Sequence, residues 1–315
     1  MDEIRIAIVG FGKIAQDQHV PAIGNNPAFR LVAVVSPRGS ESPAVPLFTD
    51  HQEMLRVTNP HAVAICTPPG PRHRIARDCL EYGAHVLLEK PPCATVGEIA
   101  DLAELGRRGQ TTLFTAWHAQ FNEAVSRAAG LIAQEGLGSL RIEWLENVDK
   151  WHPGQQWIWQ PGGFGVFDAG INALSIVTLL CPEPLLLRSA EFILPRDRQQ
   201  PIAATLDMHS PGARGDITAR LDWRQRVGEL WSIEAVTSSG THLHLLDGGK
   251  SLQVGGQPRI KGDDAEYAAI YAEFERLVRE HRSRVDAEPL RLTADAFLIA
   301  KRITASEGAG PFPQP

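Results

Sequence analysis

Residues 4–15 read I-R-I-A-I-V-G-F-G-K-I-A, a β-branched run that leads directly into a glycine turn. Gly10, Gly12 and Ala15 occupy the small-residue positions of the pattern G-x-G-x-x-G/A, where a strand ends and a helix begins. There the first glycine permits a tight turn, the second lets the backbone approach a pyrophosphate, and the third position allows close helix–strand packing. Free N–H groups at the helix start favour a diphosphate, so the stretch predicts a dinucleotide site rather than an ordinary tight turn. The predicted cofactor contacts at this turn are Gly10, Gly12, Lys13 and Ile14.

The first third of the chain alternates short apolar runs with helical patterns. Strands that are apolar throughout and alternate with helices indicate a parallel sheet covered on both faces. We therefore predict an α/β class fold, with an N-terminal Rossmann domain, a doubly wound parallel sheet, over residues 1–121. The predicted strands cover residues 4–9, 30–35, 62–66, 85–88 and 112–116, and the predicted helices include 73–82 and 96–107.

The pattern changes after residue 121. Segments with two-residue alternation now follow one another with turns between them, which indicates an open, mainly antiparallel sheet. Residues 122–289 are predicted to form an α+β domain for substrate binding and oligomerisation, and a C-terminal helix at about 290–306 to pack back on the first domain. The Gly- and Pro-rich tail 307–315 is predicted to be flexible. Predicted strands are 140–148, 186–194, 203–208, 215–222, 230–237 and 242–246, and predicted helices are 123–134, 167–180, 264–281 and 293–306.

Composition excludes several classes of protein. Hydrophobic residues make up 43% and charged residues 22%, as in globular domains that bury a core. A formal net charge of −6 argues against a nucleic-acid partner. The chain shows no secretory signal and no apolar run near the roughly 18 residues of a membrane span, so we expect a cytoplasmic protein with no membrane partner. The cysteines form no C-x-x-C pair, and we expect no metal site; they are Cys66, Cys79, Cys93 and Cys181.

The end of the second predicted strand bears on cofactor choice. NAD-preferring domains carry an acidic residue about 20 residues past the glycine turn, where it binds the ribose hydroxyls. This chain has Ser36-Pro37-Arg38 there, with no carboxylate. A hydroxyl and a guanidinium can hold a 2′-phosphate, so Ser36 and Arg38 predict that NADP is preferred and that NAD is possible. Alternatively, Arg38 only covers the adenine and both cofactors bind.

Two further strand ends carry candidate site residues. Residues 86–92 read V-L-L-E-K-P-P, and Thr67 and Pro68 follow the preceding strand. Ligands of open α/β sheets lie at the carboxyl ends of the strands. Lys90 is therefore predicted to lie where the nicotinamide meets the substrate, as a catalytic and cofactor-binding residue. The alternative is a surface ion pair. Further predicted cofactor contacts are Thr67, Pro68 and Glu89.

The glycine turn, the T-P-P loop, the E-K-P strand end and the change to a sheet domain together resemble the Gfo/Idh/MocA oxidoreductase family over essentially the whole chain. Residues 151–177, W-H-P-G-Q-Q-W-I-W-Q-P-G-G-F-G-V-F-D-A-G-I-N-A-L-S-I-V, are similar to the members that act on L-arabinose and D-galactose. The resemblance implies NAD(P)-dependent oxidation of an aldose at its anomeric carbon, with D-fucose as a further substrate and an aldonolactone as product.

Asp168 and Asn172 are four residues apart, so they share one face of a predicted helix. The family usually carries histidine at the position of Asn172, and an asparagine cannot exchange a proton near neutral pH. We therefore predict Asp168 as the proton acceptor with Lys90 as its polarising partner, and Asn172 as the residue that orients the anomeric hydroxyl. Which of Asp168 and Lys90 takes the proton stays open. Alternatively, Asp168 is the N-cap of the helix, and Asn172 forms a buried hydrogen bond to the backbone.

The resemblance also implies sugar-binding residues. Glu146, His152 and His118 would hydrogen-bond the ring hydroxyls, and Trp151 would stack on the C–H face of the sugar. For the histidines and for at least half of the nearby tryptophans, a core role is the alternative. These tryptophans are Trp117, Trp144, Trp151, Trp157 and Trp159.

Two other functions remain open. One is an inositol or other polyol dehydrogenase of the same family, against which Asn172 counts. The other is a catalytically silent NADP-sensing protein, which would be expected to lose Lys90 or Asp168. By resemblance, the protein is expected to form a homo-oligomer, a dimer or tetramer, through the C-terminal sheet.

Overall fold

The computed structural model describes residues 3–37, 39 and 45–305. Arg38 and the tail 307–315 therefore lie outside the described residues. The strands are β1 (Ile4–Val9), β2 (Phe29–Val35), β3 (Leu47–Phe48), β4 (Ala62–Ile65), β5 (His85–Glu89), β6 (Leu113–Ala116), β7 (Leu137–Leu145), β8 (Leu186–Leu194), β9 (Ala203–His209), β10 (Ile217–Asp222), β11 (Leu230–Thr237), β12 (His242–Leu246), β13 (Ser251–Val254), β14 (Ile260–Lys261) and β15 (Lys301–Thr304).

The helices alternate with the strands in the first third of the chain and are more scattered afterwards. A π-helical turn, Ala15–His19, precedes the first of them. The helices are α1 (Val20–Gly24), α2 (His51–Thr58), α3 (Pro69–Tyr82), α4 (Val96–Gly109), α5 (Glu123–Glu135), α6 (Val148–Trp151), α7 (Phe167–Leu180), α8 (Glu266–Arg279) and α9 (Glu288–Ile299). Short 3-10 turns lie at His118–Phe121, Trp157–Trp159 and Asp247–Gly249.

The described part of the first unit contains a six-stranded sheet in the order β3-β2-β1-β4-β5-β6, with every neighbouring pair parallel. The chain order reverses between β1 and β4, which is the topological switch point where such sheets bind ligands. Side chains of the central strands, such as Ile6, Val63 and Leu87, are fully buried. The predicted doubly wound parallel sheet is confirmed.

The first unit is discontinuous: it consists of residues 1–118 and 265–287. The second segment supplies α8, whose Tyr271 and Phe274 are fully buried. The rings of both lie against Phe29, at centroid distances of 5.5 and 6.0 Å. The aromatic face of α8 thus completes the core of the Rossmann domain.

The sequence instead predicted that a helix at about 290–306 packs on the first domain, and here the structure differs. Helix α9 belongs to the second unit, where Phe297 packs against Phe167 of α7 and Phe192 of β8, at 5.5 and 5.1 Å. The helix also ends at Ile299, and the next residues form β15, which pairs in parallel with β8. The apolar side chains of α9 are therefore used within the second unit.

The second unit, residues 119–264 and 288–315, contains a nine-stranded sheet among its described residues. The strand order is β14-β13-β12-β11-β7-β10-β9-β8-β15. Neighbours are antiparallel except β7 with β10 and β8 with β15, so the predicted open, mainly antiparallel sheet is confirmed. Strand β7 ends at Leu145 rather than at residue 148, because Asn147 caps α6 by accepting a hydrogen bond from the Asp149 N–H at 3.0 Å.

Within the described ranges, every helix is too short or too polar to cross a bilayer.

Candidate functional site

The glycine turn has the geometry that its sequence predicts. Gly10 has φ +92°, and a Cβ added there would lie 2.6 Å from the Thr67 amide nitrogen. A Cβ on Gly12 would meet no protein atom within 4 Å. Lys13 and Ile14 follow on the exposed side of the turn, and Lys13 forms an ion pair with Asp17. The backbone is thus open to a ligand at Gly12 and closed at Gly10, which fits a bound dinucleotide.

The loop after β4 faces this turn and adds a second feature that fits a ligand. The Cys66 N–H donates to the Val9 carbonyl at 2.8 Å and so joins the two strand ends. Thr67 Oγ1 is buried and has no hydrogen-bond partner among the described residues, and Pro68 is exposed. An unpaired buried hydroxyl is unfavourable unless a ligand supplies its partner. Thr67 is therefore placed as a cofactor contact would be.

The end of β2 carries no carboxylate. Ser36 is buried, its N–H donates to the Phe48 carbonyl at 2.9 Å, and its hydroxyl lies 3.4 Å from the Gly39 carbonyl. Arg38, the other residue predicted to hold a 2′-phosphate, is outside the described part of the chain.

A buried arginine that sequence reasoning missed joins the two candidate strand ends. The guanidinium of Arg72, on α3, donates to the carbonyl oxygens of Thr67, Glu89 and Pro91. The Lys90–Pro91 peptide in this segment is cis. Arg72 therefore fixes the backbone on both sides of Lys90. The T-P-P-G-P-R sequence after β4 was the available signal, because it places a long cation in the first turn of the helix that follows the strand.

A buried polar cluster, formed by His19, Glu89, Tyr267 and Tyr271, lies beside Lys90. The Glu89 carboxylate accepts hydrogen bonds from His19 Nε2 at 3.2 Å, the Tyr267 hydroxyl at 2.5 Å and the Lys90 N–H at 2.8 Å. The other ring nitrogen of His19, Nδ1, lies 2.8 Å from the Tyr271 hydroxyl. Glu89, predicted as a cofactor contact, thus holds the backbone of Lys90 from inside the protein.

The electrostatics of this cluster favour an ion pair. Burial alone would raise the pKa of Glu89, but the hydrogen bond and positive charge of His19 outweigh it and lower this pKa to about 2. Burial likewise disfavours the charged form of His19, but its contacts with Cys66, Tyr271 and Glu89 raise its pKa well above its ordinary range. The cluster therefore holds a buried imidazolium and a buried carboxylate at neutral pH.

His118, predicted to contact the sugar, lies at the end of the first segment of the first unit. Its Nδ1 is 2.9 Å from Glu266 Oε2, and its ring stacks on Tyr267 with centroids 6.0 Å apart. Sequence reasoning missed the α8 residues of this region, because their partners lie about 150 or more positions away.

In the second unit, Asp168 and Asn172 lie one turn apart on α7, as predicted. Asp168 is 6% exposed, and its N–H donates to the Gly165 carbonyl at 2.8 Å. The N-cap of α7 is Val166, so the alternative role of Asp168 as an N-cap is not observed. The Asn172 side chain is partly exposed on the same face.

The structure brings His152 to Asp168. His152 Nε2 lies 3.6 Å from Asp168 Oδ2, and both side chains are largely buried. The His152 ring packs against buried Trp223 at 5.0 Å, and its Nδ1 lies 3.4 Å from Gln155 Oε1. A predicted sugar ligand and a predicted catalytic carboxylate are therefore neighbours.

Glu146 is a buried carboxylate with two indole donors. Its oxygens accept from Trp223 Nε1 and from Trp231 Nε1, each at 2.9 Å. Trp151 lies beside Trp231 at 5.6 Å, is 45% exposed, and donates to Glu229 at 2.7 Å. Trp223 and Trp231 were missed by sequence reasoning. The strand register that sets them beside Glu146 is a tertiary feature.

The five tryptophans divide as predicted by the alternative that at least half of them have a core role. Trp117, Trp144 and Trp159 are buried, whereas Trp151 and Trp157 keep exposed surface. No group of three metal-ligating side chains occurs within the described ranges, and the four cysteines are free thiols.

The chain is similar to known proteins over nearly its whole length. The model of the Gfo/Idh/MocA "oxidoreductase family, NAD-binding Rossmann fold" matches residues 4–116. A galactose 1-dehydrogenase from Pseudomonas fluorescens is 45% identical over 96% of this chain and 98% of its own. The crystal structure of a D-galactose-1-dehydrogenase from Rhizobium etli, 40% identical, superposes with a TM-score of 0.90 over 97% of each chain.

A 3-ketoreductase from Actinomadura kijaniata, solved with NADP and TDP-benzene, shares the fold at 16% identity, with a TM-score of 0.83 over 97% of this chain and 100% of its own. The full-length similarity at 45% identity is decisive for family membership. This chain belongs to the Gfo/Idh/MocA oxidoreductases, enzymes built on an NAD-binding Rossmann fold.

Proposed function

We propose that the protein is an NAD(P)-dependent aldose 1-dehydrogenase that oxidises D-galactose, L-arabinose and D-fucose at the anomeric carbon to the aldonolactone. The supporting observation is a buried carboxylate, Asp168, beside the His152 ring, in a chain whose relative over nearly its whole length is a galactose 1-dehydrogenase. The three sugars share the hydroxyl configuration that such a hydrogen-bonding group would read.

The second unit supplies the proposed sugar ligands. Asp168 accepts the proton of the C1 hydroxyl, and Asn172, one turn further along α7, orients that hydroxyl. Each oxygen of Glu146 already accepts one indole N–H, and a carboxylate oxygen has a second lone pair for a sugar hydroxyl. The exposed ring of Trp151 would stack on the apolar face of the sugar.

The first unit would hold the cofactor through Gly10, Gly12, Lys13, Ile14, Thr67 and Pro68. A bound oxidised nicotinamide would supply the hydride acceptor for C1 of the sugar. Lys90 supplies a positive charge that stabilises the developing alkoxide, and Glu89 holds the Lys90 backbone in place. Ser36 and Arg38, with no acidic residue beside them, favour NADP over NAD.

The remaining parts of the proposal concern location and assembly. Four free thiols suit a reducing compartment, so we propose the cytoplasm. We also propose a homo-oligomer formed through the C-terminal sheet, which sedimentation of the purified protein would test.

The function is tested by following the absorbance of reduced nicotinamide with NADP or NAD against D-galactose, L-arabinose, D-fucose, D-xylose, D-glucose and myo-inositol. Turnover of galactose or arabinose with NADP is expected, and Lys90→Met and Asp168→Asn should each lower kcat by about 100-fold or more. An NAD preference would contradict the role of Ser36 and Arg38. Turnover of myo-inositol alone would show that the substrate is a polyol and not an aldose. Cofactor binding without turnover of any of these compounds would favour a catalytically silent NADP-sensing protein.

A further inference from the structure

The hydrogen bonds of Gln155 determine which nitrogen of the His152 ring carries a hydrogen. Trp157 Nε1 lies 3.2 Å from Gln155 Oε1, and an indole N–H can only donate. The oxygen of the Gln155 amide must therefore face this way. His152 Nδ1 lies 3.4 Å from the same oxygen, so it too must donate. The neutral His152 ring is thus the Nδ1–H tautomer, with a lone pair on Nε2.

That lone pair faces a carboxylate. His152 Nε2 lies 3.6 Å from Asp168 Oδ2, and two acceptors at this distance repel unless one of them holds a proton. Only 14% of the His152 side chain and 8% of the Asp168 side chain is exposed, so water screens the repulsion poorly. The pair therefore favours holding one proton between its two members.

One further carboxylate lies close to the ring. Glu146 bonds the indole of Trp223, against which the His152 ring packs, and its negative charge favours the protonated ring. Three ion pairs also lie on the flanking elements. These pairs are Lys150 with Glu229, Arg226 with Asp149, and Arg224 with Asp222.

We propose that His152 is the proton partner of Asp168 during sugar oxidation, so that the pair, and not the carboxylate alone, takes up the proton. This inference rests on the function proposed above. The O–H bond of the C1 hydroxyl breaks and its proton passes to Asp168, while the C1–H bond breaks and hydride passes to the oxidised nicotinamide. A C=O bond forms at C1. Asp168 then gives its proton to His152 Nε2, and the ring, the more exposed member, releases it to water.

Asn172 offers Asp168 no proton partner on α7. It is the residue one turn beyond Asp168 on α7, and an amide cannot accept and release a proton near neutral pH. His152 is therefore a positioning residue that acts through Asp168. The form of the pair that starts oxidation lacks the shared proton, so kcat for oxidation rises with pH.

The first test is the pH profile of kcat for His152→Gln. An imidazole holds its proton to higher pH than a carboxylate, so removing the ring should move the acid limb to lower pH by about one unit or more. We expect kcat at neutral pH to fall about 10- to 100-fold, with the KM for galactose changed less than about threefold. A raised KM with an unmoved acid limb would reduce His152 to a sugar ligand.

The matched control is His73→Gln. His73 also pairs with a carboxylate, that of Asp101 at 2.9 Å, but on the surface of the first unit. Its pH profile should equal that of the wild type. A shift of the same size in both variants would contradict a specific role of the His152–Asp168 pair.

The second test needs no turnover, so it separates this inference from the proposed function. Nitrogen-15 NMR of labelled histidine, with the His152 signal assigned by its loss in His152→Gln, reports tautomer and titration. We expect the neutral ring to carry its hydrogen on Nδ1, and its titration midpoint to be lower in Asp168→Asn than in the wild type. An Nε2–H tautomer, or equal midpoints in the two proteins, would overturn the proposal.

Discussion

Two glycines of one motif have different tasks in this protein. Gly10 is required by backbone geometry, since its φ of +92° disfavours any side chain and a Cβ would collide with the Thr67 amide at 2.6 Å. Gly12 is under no such constraint from the protein, because a Cβ there meets nothing within 4 Å. Its small size then matters for a ligand and not for folding.

This difference predicts opposite effects for two alanine substitutions. Gly10→Ala should lower the free energy of unfolding by about 1–3 kcal/mol, because it combines backbone strain with a steric clash. Gly12→Ala should leave the unfolding transition within experimental error and weaken NADP binding about tenfold or more, because the new methyl group occupies the approach of the pyrophosphate. Thermal unfolding and fluorescence titration of the cofactor measure the two effects. Loss of stability in Gly12→Ala would show that the position is structural.

The sequence was informative where a residue's task depends on its immediate neighbours. The glycine turn and the Asp168–Asn172 face of α7 follow from local spacing and were predicted. Arg72 and His19 were missed, since each acts on groups that only the folded chain brings near. Arg72, for example, bonds the Glu89 carbonyl 17 positions away, and His19 bonds Tyr271 252 positions away.

At the scale of secondary structure, the buried pair of His19 and Glu89 joins three elements of the first unit. His19 ends the π-helical turn, Glu89 ends β5, and both bond tyrosines of α8. Removing one member of a buried ion pair leaves the other charge uncompensated, which typically costs about 3–5 kcal/mol. The pair should therefore make stability depend on pH.

Glu89→Gln tests that dependence. The pKa of Glu89 is about 2 in the folded protein and about 4.3 in an unfolded chain, so the carboxylate contributes stability above pH 4.3 that is lost as the pH falls toward 2. The raised pKa of His19 contributes stability below about pH 6.5 that is lost as the pH rises through its folded value. At pH 6 the free energy of unfolding of Glu89→Gln should be about 3 kcal/mol lower than that of the wild type. On acidification the variant should lose less stability than the wild type does.

Urea unfolding at several pH values measures the loss of stability at pH 6 and the dependence of stability on acid. The exposed carboxylate of Glu104, which is bound by Arg107 and Arg108, gives a control, and Glu104→Gln should leave stability at pH 6 unchanged. An acid dependence in Glu89→Gln equal to that of the wild type would mean that the Glu89 carboxyl is not ionised in the fold.

The helix and strand boundaries could be predicted where they follow from local sequence, and not where they depend on distant contacts. Long periodic elements such as α7 and β8 occur where the sequence placed them. The two-residue strands β3 and β14 have no periodicity to detect. Residues 301–304 looked helical in continuation of α9, yet they form β15, because the edge of β8 offers unpaired backbone groups.

At the scale of the whole molecule, the first unit is completed by a segment that follows most of the second unit in the chain. Helix α8 buries an aromatic and aliphatic face in that unit, and each large side chain contributes about 1.5–3 kcal/mol. Their sum is comparable to the total stability of a domain, about 5–15 kcal/mol. The buried residues are Tyr267, Ile270, Tyr271, Phe274, Leu277 and Val278.

We therefore expect residues 1–118 alone to lack a cooperative unfolding transition, because Phe29 and the His19–Glu89 pair would lose their cover. Joining residues 1–118 to 265–287 by a short glycine linker should restore cooperative unfolding and NADP binding. The join is feasible since His118 and Glu266 are in hydrogen-bond contact at 2.9 Å. Calorimetry and cofactor titration measure both properties.

A fusion of residues 1–118 to 288–305 is the control that separates a specific helix from any added helix. It carries α9, whose Phe297 is adapted to Phe167 and Phe192 of the second unit, and offers no tyrosine to His19 or Glu89. It should therefore remain without a cooperative transition. Cooperative unfolding of residues 1–118 alone, or equal rescue by α9, would show that the Rossmann sheet folds without the contacts of α8, and that the discontinuity of the first unit has no energetic basis.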